Sequence, residues 1–541
     1  MEQQTDRPNV LLIVADDLGY SDLGVFGGEI NTPNLDALGH DGILLTQFYS
    51  APTCSPTRSM LLSGTDNHLA GLGHMYEELR ANQVGHPGYE GYLNFRVASL
   101  AEIMRDAGYH TYMTGKWHLG LTEETSPHAR GFERSFDLAQ GGAGHLGDLP
   151  LIGLNPSIYR EDGKPAGIPG DFYSSRFYAR KLLEYLKSND EDGRPFFAYL
   201  AFTAPHWPLQ APRESVGNYA GRYDAGWDVL QGRRFENLKK LGLIEQDAVP
   251  FDRLETEPAW QDLPDDEKQL EARKMEIFAA MVDDMDRYTG EVIDYLKSSG
   301  QFENTLIFFM SDNGAEGAHL NIGWEALERW AEQCCDNSLE NLGNGDSYTW
   351  YGPNWTWASS GGYRMYKQFT TEGGMRVPAI VHFPQQLQKG AVIDKFVTVK
   401  DVLPTILELT GVEHPGSSFN GREVLPLQGA SMLSMLKGER VTTHNQDYVM
   451  GWELFGRRAI RKGDWKIVWE PAGIPWEPRE TDIPVDKWRL YNIKEDPGEL
   501  VDLSGDQPEK LEELVQEWEI YARENGVILP DYNAPYASYT D

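Results

Sequence analysis

Short apolar runs along the chain end abruptly in polar residues. "NVLLIVADD" (Asn9–Asp17) places two carboxylates directly after an unbroken aliphatic run. A run of this length and β-branched content reads as a strand buried on both faces. "RPFFAYLAFTAPHWP" (Arg194–Pro208) is a second such run that passes into a Pro-rich loop, and "NTLIFFMSDNG" (Asn304–Gly314) is a third with a polar end. Between them the period changes. Asp266–Gly300 has helical spacing with a glycine stop, and Val97–Gly120 reads as helix, glycine stop, then strand. Strands alternating with helices predict an α/β fold, a large, mostly parallel mixed sheet with helices on both faces.

The tail follows a different pattern. "DYVMGWELFGRRAIRKGDWKIVWEP" (Asp447–Pro471) alternates like hairpin strands, and Asp506–Asn525 is an amphipathic helix. This predicts a larger domain over 1–442 and a smaller C-terminal domain over 443–541, an antiparallel sheet with a helix. The polar, Trp-rich stretch Gly317–Gly362 is long enough to expect a functional loop region over the sheet's edge.

Composition narrows the function. The chain has 541 residues, 40% apolar, enough to bury a large core. With 48 basic against 83 acidic residues its net charge is −35, which excludes a basic nucleic-acid footprint and attraction to an anionic membrane. The apolar runs are too short to span a bilayer. The opening "MEQQTDRPN" has no basic start and no apolar core of a secretory signal. A cytoplasmic protein is expected, or a periplasmic or secreted one whose leader has been removed. Three cysteines make no disulfide framework. Cys334 and Cys335 are adjacent and are not expected to bond each other without strain. They have no assignable role, and Cys54 is left unpaired.

Polar groups collect where strands end, which is where open α/β sheets bind ligands. Asp16 and Asp17 follow the first strand, and Asp312 and Asn313 follow the third. At about 4 Å and an effective dielectric near 20, each like-charge pair would cost roughly 4 kcal/mol. Converging carboxylates therefore call for a cation or a proton, and oxygen ligands suit Ca²⁺ or Mg²⁺. The alternative is that DD and DN cap helices or turns. In "SAPTCSPTRSMLLSG" (Ser50–Gly64), Ser55 is a plausible N-cap, Pro56 the first helical residue, and Ser63-Gly64 the stop. Cys54 would then sit at a helix N-terminus with Arg58 near it, an anion-stabilising setting; it equally fits an inert buried cysteine. In "GKWHLG", Lys116 and His118 would share one face of a strand, or an exposed edge. His206 lies at another strand end and Lys367 precedes a Gly-Gly turn; either alone also fits a structural or surface residue.

Together these motifs resemble the type I sulfatases of the alkaline-phosphatase superfamily, and bacterial arylsulfatases most closely. "CSPTR" matches the family's C-x-P-x-R signature and "GYHTYMTGKWHLG" its second. "LLIVADDLGYSDLG", "TAPHWP", "FFMSDNG", "TTEGGMRVPAIVHFP" and "RLYNIKEDPGELVDLS" match in order, so the resemblance covers nearly the whole chain. It implies that a maturation enzyme oxidises Cys54 to formylglycine, with Pro56 and Arg58 in its recognition tag. One oxygen of the aldehyde hydrate would attack sulfur and the other would later expel sulfate. It implies Ca²⁺, with Mg²⁺ the lesser choice, on Asp16, Asp17, Asp312, Asn313 and the residue-54 oxygen. Arg58 would hold the diol. Lys116 and His118 would contact diol and sulfate, with His118 as base for the elimination. His206 and Lys367 would grip the sulfate, with His206 as general acid. The substrate implied is a small-molecule sulfate ester.

Two other readings stand beside this one. A phosphonate monoester or phosphodiester hydrolase shares the fold and metal site, and activity on both classes is possible in one site. A binding module would keep Cys54 as a thiol. Trp350, Trp355 and Trp357 could line a leaving-group pocket for an aryl or apolar alcohol, or form a packed cluster over the core.

Overall fold

A computed structural model describes residues 7–151, 156–188, 192–317, 325–472 and 485–533. Eleven strands form the central sheet: β1 (Asn9–Ala15), β2 (Ile43–Tyr49), β3 (His110–Lys116), β4 (Arg134–Leu138), β5 (Tyr159–Glu161), β6 (Lys164–Pro165), β7 (Phe196–Ala201), β8 (Thr305–Ser311), β9 (Arg376–His382), β10 (Ala391–Ile393) and β11 (Val397–Thr398). Their order is β10-β2-β9-β8-β1-β7-β3-β4-β5-β6, with β11 beside β2. The stretch β8-β1-β7-β3-β4 is parallel throughout, while β9 and the edge strands β5 and β6 pair antiparallel. This is the mixed, mostly parallel sheet expected from the alternation of strands and helices.

The two faces of β1 explain its unbroken apolar run. Leu11, Ile13 and Ala15 pack into one core with Met275, Phe278, Met281 and Met285 of the helix Asp265–Ser298. Val10, Leu12 and Val14 face a second core with Met60, Leu61 and Leu62 of the helix Cys54–Ser63. Covering both faces of a parallel sheet removes its apolar residues from water on either side.

Beyond a two-stranded ribbon, β12 (Ser418–Phe419) and β13 (Arg422–Glu423), comes a second sheet. It is antiparallel: β14 (Val449–Leu454), β15 (Arg457–Lys462), β16 (Trp465–Trp469) and β17 (Trp488–Asn492), in that order. One face, with Met450, Trp452, Ala459 and Val468, belongs to the second core of the main sheet. The other, with Ile460, Ile467 and Leu490, is covered by Leu514, Trp518 and Tyr521 of the helix Pro508–Asn525. No helix among the described residues is long and apolar enough to cross a membrane.

Three local expectations change. The helix expected to open at Pro56 starts at Cys54, and its N-cap is Thr53 in place of Ser55. The cause is Thr57, whose hydroxyl accepts from the Ala51 amide and donates to the Ala51 carbonyl, fixing the chain's entry. Ser55 Oγ caps nothing, and Pro56 falls where helical N–H groups lack partners anyway. The stretch expected as a loop over Gly317–Gly362 carries the helices Glu325–Cys334 and Gly352–Ser359, with 318–324 outside the described residues. Finally, Cys334 and Cys335 are joined as a disulfide, against the expectation. The bond lies where the helix Glu325–Cys334 ends.

Trp355 is fully buried, edge-on to Trp227, Trp260 and Tyr223, with its indole N–H donating to the Glu271 carbonyl. It belongs to the core and lines no leaving-group pocket. Trp355→Ala is expected to destabilise the fold by about 3–5 kcal/mol in urea denaturation, the range for deleting a large buried aromatic.

A buried histidine ties the short helix Asn67–Ala70 to the second sheet. His68 Nδ1 lies 2.9 Å from Asp66, its Nε2 lies 3.4 Å from Glu453 on β14, and Tyr521 donates to Asp66. Burial opposes the imidazolium, but hydrogen bonds and charge from Asp66 and Glu453 outweigh it and raise His68 to about 9. A raised native pKa stabilises fully below the unfolded value and is lost as pH climbs through the native one. Stability is expected to fall by about 3 kcal/mol between pH 6.5 and 9 from this group. Urea midpoints across that window should show the fall in the wild type and a much flatter profile in His68→Gln.

Candidate active site

Strand register assembles the site. Ala15 of β1 pairs with Ser311 of β8, so Asp16 and Asp312 leave the sheet side by side. Ala201 of β7 pairs with Val14 of β1 on one side and Gly115 of β3 on the other, which brings Lys116 to the same edge. Gly115 is required there: its φ is +110°, and a Cβ would stand 1.8 Å from the Ala201 carbonyl oxygen. Cys54 enters from the first turn of its helix.

One donor atom from each of Asp16, Asp17, Cys54 and Asp312 lies within 4.8 Å of the other three, and all four residues are buried. Cys54 Sγ is 3.4 Å from Asp16 and 3.9 Å from Asp17. Asn313 joins them, its Nδ2 donating to Asp17 Oδ1 at 2.6 Å. Its Oδ1 is buried with no hydrogen-bond partner, an oxygen left over within a cluster of oxygen donors. That donor set fits a hard divalent cation.

Three cations face these acids. Arg58 spans Asp312 Oδ2 through Nε at 2.9 Å and Nη2 at 2.8 Å and also donates to the Lys116 carbonyl. Lys116 Nζ is 2.8 Å from both oxygens of Asp16. Lys367 Nζ bridges Asp17 at 3.0 Å and Glu316 at 2.9 Å. The charges are therefore interleaved. Burial, opposed by Lys116 and reinforced by Asp312, pushes Asp16 up to about 8. Burial also works against Asp312, but Arg58 and Lys116 overcome it and hold that carboxyl down. Burial and then the Asp312 charge push the Cys54 thiol well up.

The two histidines take distinct places. His206 Nε2 lies 3.5 Å from Asp17, and its Nδ1 lies 2.5 Å from the Trp207 carbonyl. A carbonyl only accepts, so Nδ1 carries a proton and Nε2 is the atom free to exchange one. Burial, then Lys367 and Lys116, push His206 well down. His118 departs from the expected shared strand face. Lys116 is the last residue of β3, and His118 lies beyond it with φ +55°, turned toward Glu77. Its Nε2 is 3.2 Å from both Glu77 oxygens, and its Nδ1 is buried without a hydrogen-bond partner. Burial lowers its pKa. Asp17 is likewise left-handed, at φ +69°. A left-handed non-glycine residue in the cluster and another beside it are strain of the kind that gathers at functional sites.

Every candidate except His118 is linked directly to this cluster, and His118 stands beside it on Glu77. Sequence reasoning missed Glu77, Glu316 and Trp207. Glu316 follows Asn313 in the same strand-end loop and could have been read with it; Glu77 lies in "MYEEL", where nothing marks it. Of the tryptophans offered as pocket walls, Trp357 donates to the Phe251 carbonyl and packs on the core, while Trp350 belongs to an aromatic cluster with Trp207, Trp330 and Tyr348.

The sulfatase family model matches residues 8–412, and the model for the C-terminal region of N-sulphoglucosamine sulphohydrolase matches 361–520. An uncharacterised sulfatase of Schizosaccharomyces pombe is 47% identical, over 97% of this chain and 95% of its own. The arylsulfatase of Klebsiella aerogenes is 39% identical, over 79% of this chain and 92% of its own. The crystal structure of Ps i-CgsB superposes with a TM-score of 0.66 at 24% identity, covering 96% of this chain and 94% of that one, a likeness of fold. With one model spanning the whole central sheet and a relative aligned along nearly the full length, the chain belongs to the sulfatase family and is a sulfuric ester hydrolase.

Proposed function

We propose that this enzyme hydrolyses sulfate monoesters, aryl sulfates foremost, with residue 54 as a formylglycine hydrate beside Ca²⁺. The observation that carries the reading is the convergence of Asp16, Asp17, Asp312 and residue 54 on one buried point, with the orphaned Asn313 oxygen beside them. These residues would hold the cation. When bound, it supplies Lewis acidity for a sulfate oxygen and for the attacking hydroxyl. The hydrated aldehyde, made from Cys54 by a maturation enzyme, supplies a hydroxyl nucleophile and a second hydroxyl for the release of sulfate.

The chain's own residues do the rest. Lys116 and Lys367 now pair with Asp16 and Asp17. With those carboxylates holding a cation, the two ammonium groups would be left to donate to a sulfate. Arg58, locked on Asp312, orients that carboxylate and adds positive charge next to residue 54. His206 acts at Nε2, which takes up a proton when the anionic ester is bound and passes it to the leaving oxygen, while the Trp207 carbonyl holds the Nδ1 proton. His118 acts at Nδ1 as the base for sulfate release, with its Nε2 proton held by Glu77. The catalytic unit is assigned to residues 1–442 and the supporting C-terminal unit to 443–541, the latter taking in all of β14 to β17.

The first test is chemical. Protein made with a formylglycine-generating enzyme should yield a Ser50–Arg58 peptide carrying the aldehyde or its hydrate. Cys54→Ala should stay folded and lose kcat/KM on 4-nitrophenyl sulfate by roughly 10⁴-fold or more. A peptide that remains a thiol in active enzyme rejects the nucleophile. Faster turnover of a phenylphosphonate ester than of the sulfate assigns the site to the phosphonate class instead.

The second test is thermodynamic. Ca²⁺ at about a hundred times its Kd should stabilise the chelator-treated protein by about 2.7 kcal/mol. Asp17→Asn should abolish most of that shift. An equal shift in the variant places the ion elsewhere.

A further inference from the structure

Resting on that reading, we infer that Trp207 selects the leaving group, through its ring face and its indole N–H, for an aromatic alcohol carrying a hydrogen-bond acceptor. Trp207 follows His206, and their ring centroids are 4.9 Å apart. The side chain is thus adjacent to the group assigned to protonate the departing oxygen. It is half-buried, and around it lie Trp330, Trp350 and Leu149, also half-buried, with Tyr348 edge-on to Trp207 at 5.9 Å. Leu151 and His206 both stand against Gly142, which joins this apolar wall to the catalytic edge of the sheet. A half-exposed aromatic wall beside a buried ionic cluster suits a ligand with one charged end and one flat apolar end.

The indole adds a polar requirement. Trp207 Nε1 is buried and has no acceptor among the described residues. An indole N–H is a donor only, and buried donors find partners. An acceptor on the leaving group, a ring carbonyl or an ether oxygen, would satisfy it. A site built to hydrogen-bond such a group discriminates against the analogue that lacks it.

The test compares Trp207→Phe and Trp207→Ala with wild type on three sulfates: 4-methylumbelliferyl, with lactone oxygens; 2-naphthyl, of similar shape without them; and hexyl. Taking variant-to-wild-type ratios of kcat/KM cancels the intrinsic reactivity of each ester. Trp207→Phe should lose about five- to tenfold on the umbelliferyl ester and stay within about twofold on the naphthyl ester. Trp207→Ala should lose roughly tenfold or more on both aryl esters relative to hexyl sulfate. Equal factors on all three esters in both variants overturn the inference while leaving the sulfatase reading intact. A matured wild-type enzyme that turns over none of the three overturns that reading itself, and this inference with it.

Discussion

Charge balance at one edge of the sheet is the constraint on which the rest of the structure depends. Parallel pairing of β1 with β8 forces Asp16 and Asp312 out of the sheet together, with Asp17 next to them. All three are buried. Unpaired, they could not remain ionised there. Their partners come from separate parts of the chain: Arg58 from a helix, Lys116 from the end of β3, Lys367 from the approach to β9. Each pairing fixes the position of the element that supplies it. The same arrangement leaves oxygen donors facing one point and cations within reach of it, so the geometry that makes the fold tolerable also provides for a cation and an anionic ester.

Much of this was legible in the chain because register carries it. The apolar runs identified β1, β7 and β8, and the polar residues closing them named Asp16, Asp17, His206, Asp312 and Asn313 before any coordinates. Cys54 and Arg58 stand together at a helix start, and the resemblance of "CSPTR" to a family signature is what gives them roles. What stayed hidden depends on backbone turns and distant neighbours. His118 has the i, i+2 spacing of a strand pair, but the strand stops at Lys116 and a left-handed residue turns the ring to Glu77. Ser55 looks like a cap only until Thr57 takes over the helix entry. Trp355 shares a loop-like, Trp-rich stretch with Trp350, yet one is core and the other lies with the aromatic cluster beside His206. Periodicity has no term for such long-range choices.

The C-terminal sheet is more than an appendage, and one buried lysine shows why. Lys466 on β16 lies fully buried, 2.8 Å from Glu372 and 2.9 Å from Glu499. Glu372 also accepts a hydrogen bond from Tyr49 on β2. It opens the short helix Glu372–Met375, which sits so close to the strand-end loop that a Cβ on Gly314 would fall 1.9 Å from the Gly373 oxygen. The Gly314 amide donates to the Gly374 carbonyl at 3.0 Å. Gly314 directly follows Asp312 and Asn313. A continuous line of contacts therefore runs from β16 through Glu372 to the residues that would hold the cation. The Gly-Gly in "TTEGGMRVP" is itself crowded by the preceding loop: a Cβ on Gly373 would fall 2.0 Å from the Met365 oxygen, and one on Gly374 2.1 Å from the Phe369 oxygen. Against burial, Lys466 and Arg376 hold Glu372 below the usual carboxylate range, while burial outweighs Lys466 at Glu499 and keeps it raised. The small sheet thus stabilises the active edge from beneath, through charge and through backbone contact, without contributing any of the candidate active-site residues.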